Sequence, residues 1–153
     1  MISISISYQT REHLAPHFHQ ELPGSKFYCQ QPENLLEEAM RLFPEQFRQN
    51  HPEADGRRRL SLHFPHPIGI SGVVAIDELT PEERSRIELA DRQGQQVRCV
   101  ATRRLFETTE CQLVLSADWQ LITMFPGELA PPLPARPDEP SAYWDRHVFI
   151  KWA

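Results

Sequence analysis

Five of the seven histidines fall in two short stretches, His13, His17 and His19 in one and His63 and His66 in the other, and His147 stands near the end. Histidine gains and loses a proton closest to neutral pH and is also the commonest metal ligand. General acid–base chemistry and metal binding are both open on that basis. His17 and His19 are two apart and share a face if extended, as paired ligands do. Pro16 argues against the helix that would align His13 with His17. No HExxH pattern accompanies them, so a His13, His17 and His19 metal site is an alternative, and the leading expectation uses no metal and no cofactor.

The run His63-Phe64-Pro65-His66-Pro67-Ile68-Gly69 carries more. Two prolines fix the backbone around His66, and Gly69 permits a tight turn or the close approach of a ligand. Leu60, Leu62 and Phe64 alternate with Ser61 and His63, which aims His63 off the polar face of a strand, a favourable place for a general base. Thr123 offers a hydroxyl to a phosphate or an oxyanion, and period two groups it with Trp119, Leu121 and Phe125. Asp145 and His147 share a face if extended, so the carboxylate can hold the imidazole. Arg103 and Arg104 bring charge of the kind that grips phosphate. Walker loops, dinucleotide-binding glycines, GxSxG elbows and zinc-finger spacings are missing from the sequence, which disfavours nucleotide-cofactor enzymes and serine hydrolases.

The elements that must position these groups follow from pattern. Residues 2–8 alternate and read as a strand, residues 10–25 as an irregular segment broken by Pro16, Pro23 and Gly24. Residues 26–29 make a short strand. Leu36, Met40, Phe43 and Phe47 trace a helical stripe, giving a helix over 33–43 that Pro44 kinks or ends. A polar loop over 50–59 leads into the strand of His63, and Ile70 to Ile76 reads as a central strand. Thr80-Pro81-Glu82-Glu83 is a capping box with proline at the first helical position, opening a helix to about Asp91 that ends near Gly94. Strands over 97–101, 111–116 and 119–125 follow, the last two joined by a turn at Ala117-Asp118. Five of the ten residues from Pro131 to Pro140 are proline, which makes an extended arm, and Tyr143 to Trp152 returns as an aromatic strand. The sum is an α+β fold, a mainly antiparallel sheet of about five to seven strands with two helices.

At 153 residues the chain reads as a single domain: an N-terminal strand and His-rich loop (1–32), a core (33–127), the arm (128–141) and a terminal strand (142–153). Cys29, Cys99 and Cys111 are an odd number without CxxC spacing, against a disulfide framework or a thiolate zinc site. No apolar run is long enough to span a bilayer, and the N-terminus lacks a signal peptide's basic start. A cytoplasmic location, or export without a cleaved signal, is expected, with no membrane partner. The net charge of −5 argues against loose nucleic-acid binding, but residues 57–104 carry 9 basic and 6 acidic side chains, so the middle is positive.

The run Leu121-Ile-Thr-Met-Phe-Pro-Gly127, after a strand hairpin, resembles the final-strand motif of the barnase–EndoU–colicin–RelE-like bacterial ribonucleases, a group rich in toxin domains. The resemblance covers residues 33–127 in layout. It implies helices joined to an antiparallel sheet, RNA as partner, and metal-independent cleavage by histidine, arginine and a hydroxyl spread over the sheet face. Thr123 takes the hydroxyl position; His63 or His66 as base and Arg103 or Arg104 as phosphate clamp follow from strand order, and His147 is a further catalytic candidate from its pairing with Asp145 alone. The expectation is thus a ribonuclease or related phosphodiesterase. The rival is a non-enzymatic interaction module whose proline arm and C-terminal aromatics dock a protein, an immunity protein among the candidates.

Overall fold

A computed structural model describes residues 2–18, 25–92, 94–136 and 138–152, Trp152 for its backbone alone. The fold is α+β: among the described residues four helices and ten strands form three mostly antiparallel sheets. The element count exceeds the sequence reading because several expected strands are divided between sheets.

The layer that matters most here is a three-stranded antiparallel sheet of β2 (Arg57–His63), β8 (Glu110–Ser116) and β9 (Leu121–Pro126), in the order β2-β8-β9. Its inner face carries Leu60 and Leu62 of β2, Cys111, Leu113 and Leu115 of β8, and Leu121 and Met124 of β9, all buried. The helices α2 (Pro32–Leu42) and α3 (Pro44–Gln49) supply Leu35, Leu36, Ala39 and Phe47 to the same cluster. Pro44 ends α2 and opens α3, since proline lacks the N–H an interior residue must give but is suited to a first turn. The β2 edge is closed by this helical side: Gln46 Nε2 donates to the Ser61 carbonyl, Asn50 Nδ2 to that of Arg59, and the Glu53 N–H to that of Arg57.

A second cluster, Val74, Leu79, Val100, Val148 and Ile150, belongs to a four-stranded sheet in the order β4-β10-β6-β5. Its strands are β4 (Val73–Ala75), β5 (Glu88–Arg92), β6 (Gln95–Thr102) and β10 (His147–Trp152). The C-terminal strand lies in the middle, antiparallel to β4 and parallel to β6. A third sheet is small: β1 (Lys26–Phe27), β3 (Gly69–Ile70) and β7 (Glu107–Thr108).

Several sequence expectations are corrected here. Residues 2–7 make one bridge, Ser5 with Gln120, instead of a strand, although Ile2, Ile4 and Ile6 do pack on the first cluster with period two. The strand expected over 26–29 has two residues. Residues expected to be irregular form helix α1 (Tyr8–Phe18). The Ser7 hydroxyl caps it by accepting the Thr10 N–H at 3.1 Å, and Leu14 and Phe18, one turn apart, bury their side chains. Pro16 is accommodated because it falls in the last described turn. Ile70 to Ile76 is no single strand: Ser71 Oγ bonds both the N–H and the carbonyl of Val73, and Gly72 accepts the Ile150 N–H, so the chain switches sheets there.

The capping box at Thr80 is complete. Its hydroxyl accepts the Glu83 N–H at 3.1 Å and its N–H donates to Glu83 Oε1 at 2.9 Å. The helix it opens, α4 (Pro81–Arg84), runs four residues and not to Asp91, because Glu88–Arg92 is drawn into the β5–β6 hairpin. Gly94, at φ +86, is the glycine of that hairpin turn instead of a helix terminator. Thr80→Ala is expected to cost about 1 kcal/mol in a urea titration, the usual value of a lost N-cap.

Candidate functional site

The outer face of the β2-β8-β9 sheet is opposite the helices and carries the polar set. Register places Arg59, Val114 and Thr123 in one row, Ser61, Gln112 and Phe125 in the next, and His63 opposite Glu110 at one corner. A bulge decides which β9 residues belong there. Leu115 faces Leu121 and Val114 faces Thr123, so Ile122 is the extra residue and the parity of the strand changes across it. Thr123 therefore shares its face with Phe125, while Leu121 joins Met124 inside, contrary to simple alternation. Trp119 belongs to the turn, at φ 67, its ring lying 4.1 Å from the Arg58 guanidinium and 6.2 Å from the Phe47 ring.

At the His63 corner three groups converge. Thr109 Oγ1 lies 3.0 Å from His63 Nε2, and Glu110 Oε1 lies 3.5 Å from Nδ1. A carboxylate at Nδ1 favours the tautomer with the proton there, which leaves the Nε2 lone pair to accept the Thr109 hydroxyl. The order hydroxyl, imidazole, carboxylate is that of an activated general base. The backbone holds this arrangement: the Phe64 N–H donates to the Thr109 carbonyl at 2.8 Å, and Glu110 N–H to Thr108 Oγ1 at 3.1 Å. His63 is 72% exposed, so a large ligand meets the ring without rearrangement. Arg57 and Arg59 stand on the same face of β2; Arg59 is bound to Asp55 at 2.7 Å and Glu53 at 3.0 Å.

Thr123 lies at the opposite corner from His63, two strands across and four residues along, which is about 16 Å between Cα atoms. The two do not share one phosphate. Thr109 is the hydroxyl within reach, and sequence reasoning passed it over because its partnership with His63 spans 46 residues. The usable signal was the polar run Glu107-Thr-Thr-Glu110 at a strand start.

His66 faces elsewhere. Its Nδ1 donates to the Pro67 carbonyl at 3.1 Å and its Nε2 to Glu38 of α2 at 2.5 Å. Both acceptors favour the protonated ring, and its pKa is raised above the ordinary 6.5 by the carbonyl first and the carboxylate second. This histidine ties the β2–β3 connection to α2. A raised folded pKa adds stability that is whole below the unfolded value and is lost as pH rises through the folded one. The urea midpoints of the protein and of His66→Gln are therefore expected to differ below about pH 6 and to converge on raising the pH.

Arg104 is engaged: Nε and a terminal nitrogen grip the two oxygens of buried Glu83 at 2.9 and 2.5 Å, and Thr102 Oγ1 adds a bond at 2.9 Å. The guanidinium holds the Glu83 carboxyl well below the usual carboxylate range. Arg104 is thus a strut between α4 and β6, whereas Arg103 is exposed and has no partner among the described residues. Both lie away from the His63 corner, beside Thr102.

His147 is not served by Asp145, which sits in the preceding turn 3.8 Å from Arg98. Its Nδ1 donates to the Tyr143 carbonyl at 2.8 Å, its Nε2 lies 3.4 Å from Glu128, and its ring stacks on Tyr143 at 3.8 Å. The proline arm folds onto the same face: Trp144 Nε1 donates to the Pro131 carbonyl at 3.1 Å, and Leu133 and Pro134 lie beside Val97 and Phe149. The arm and aromatics expected to seize a partner hold each other. Of the N-terminal histidines, His13 is exposed on α1, one turn from His17, and His19 lies outside the described residues. His17 is bound through Nδ1 to the Ser25 carbonyl at 2.9 Å, and burial pushes its pKa down.

An α+β protein with a helix-backed sheet, its outer face bearing a hydroxyl–histidine–carboxylate cluster at one corner, is the class these observations define. Comparison with protein-family models, curated proteins and solved structures finds no match in any of the three. No helix of the described residues is long and apolar enough to cross a membrane.

Proposed function

We propose that the chain is a ribonuclease whose general base is His63 and which needs no metal for the step. The observation that supports this reading most is the placement of His63 between Glu110 and Thr109 at an exposed corner of the sheet. His63 Nε2 takes the proton of a ribose 2′-hydroxyl as its oxygen attacks the adjacent phosphorus. Glu110 stabilises the imidazolium that forms, and the Thr109 hydroxyl, released from Nε2, donates to a phosphate oxygen. The bond from phosphorus to the 5′-oxygen breaks and that oxygen is protonated by water, which an open site admits. The products are a 2′,3′-cyclic phosphate and a free 5′-hydroxyl. Arg57 lends positive charge along the same face, where an RNA backbone would run, whereas Arg59 is occupied by Asp55 and Glu53.

His63 is the base, Thr109 in place of Thr123 is the hydroxyl, and His66, His147 and Arg104 have structural parts. In EDTA, the purified protein is expected to cleave single-stranded RNA, with Arg103→Ala and His147→Gln retaining activity. Failure to cleave both single-stranded and hairpin RNA overturns it.

A further inference from the structure

The strand β5 is an edge of the four-stranded sheet, and among the described residues the β2 edge and the start of the β9 edge have partners. The β2 edge is capped by Gln46, Asn50 and Glu53, and β9 is flanked at Leu121, whose N–H donates to the Ser5 carbonyl and whose carbonyl accepts the Thr10 hydroxyl. Among the described residues nothing bonds to the outward backbone of Glu88–Arg92. An unpaired row of N–H and carbonyl groups is a template for another strand. Leu89 stands 57% exposed beside it.

The sequence of that edge is Glu88-Leu89-Ala90-Asp91-Arg92, and its end charges are complementary when it is reversed, with Leu89 then facing Asp91 of the other copy. Two copies placed antiparallel about Ala90 set Glu88 opposite Arg92 of the other copy, twice. Ala90 meets its own counterpart, and its small side chain lets the backbones close. Leu89 of each copy falls diagonal to the other across the axis, within reach of apolar contact. Parallel pairing in the same register would instead align Glu88 with Glu88, Asp91 with Asp91 and Arg92 with Arg92, all repulsive. Existing contacts prepare the face: Arg92 is held over the Phe149 ring at 4.3 Å, and Glu88 has one exposed neighbour, Lys151, at 3.7 Å.

We propose that a second copy of this chain docks on β5 by antiparallel strand addition centred on Ala90, joining two four-stranded sheets into one of eight. A five-residue edge buries little area, so the dimer is weak and reversible. The edge lies on a different sheet from His63, and the proposal does not depend on the ribonuclease reading.

Charge exchange tests it. Sedimentation of the full chain over a concentration series is expected to show a monomer–dimer equilibrium. Glu88→Arg alone, or Arg92→Glu alone, turns both cross-strand pairs repulsive and is expected to weaken the dimer about thirtyfold. Mixing the two variants restores opposite charges at both positions and is expected to give a heterodimer as tight as the original. That recovery excludes simple misfolding of either variant. A protein that stays monomeric throughout the series overturns the proposal, as does a dimer that neither exchange weakens, or a mixture that fails to associate.

Discussion

His63→Ala is expected to lower kcat for RNA cleavage by a factor of about 10² to 10⁴, the range of a positioned general base. The loss should appear in kcat with little change in KM, because the imidazole acts on the proton in flight and adds little to ground-state binding. Neighbouring variants give the effect its shape. Glu110→Gln keeps the size of the side chain and removes its charge, so the imidazolium loses its stabilising partner and part of the same loss should follow. Thr109→Val removes the hydroxyl at Nε2 and is expected to cost less than His63→Ala. Thr123→Ala, at the far corner of the face, should leave kcat unchanged. If Thr123→Ala proves as damaging as His63→Ala, the corner is not the working site.

Gly69→Ala is expected to be among the most destabilising single substitutions. A Cβ built at Gly69 lies 2.1 Å from the Lys26 carbonyl oxygen and 3.0 Å from Phe27 Cα, both backbone atoms of the paired strand β1. No rotamer relieves that contact, so β1 and β3 must part, and Phe27, wholly buried in the first cluster, moves with them. Overpacking in a rigid place costs about 1–3 kcal/mol and occasionally more, and the upper end applies where backbone blocks backbone. Urea denaturation of Gly69→Ala beside Gly56→Ala checks the cause. Gly56 has open space around its Cβ position, so its substitution carries the strain of φ +81 without a clash. Equal losses in the two would remove steric exclusion as the reason.

Gly69 also illustrates what a sequence reading can and cannot reach. The need for close approach was legible; that the approaching group is the β1 backbone and not a ligand was not. Local signals carried through well, as with the Thr80 capping box, the Ala117-Asp118 turn and the helical stripe from Leu36 to Phe47. Signals that depend on distant partners did not. Glu88–Arg92 follows a strong helix start and reads as helix in sequence, because the pairing with β6 that overrides propensity appears only in three dimensions. The bulge at Ile122 reversed the faces of β9, and nothing in the alternation of Leu121 to Phe125 announces it. In the candidate site, the strand that aims His63 could be seen from Leu60, Leu62 and Phe64. Its partners Thr109 and Glu110 arrive from across the sheet, and Asp145, the neighbour in sequence that looked right for His147, gives way to Glu128.

The assignment of His63 as the base for a 2′-hydroxyl is tested most directly with an oligonucleotide that is DNA except for one ribonucleotide. In EDTA, the protein is expected to cut it at that residue alone, leaving a 2′,3′-cyclic phosphate, and His63→Ala, folded by circular dichroism, is expected to leave it intact. An uncut substrate, or one cut as fast by His63→Ala as by the parent protein, would contradict it.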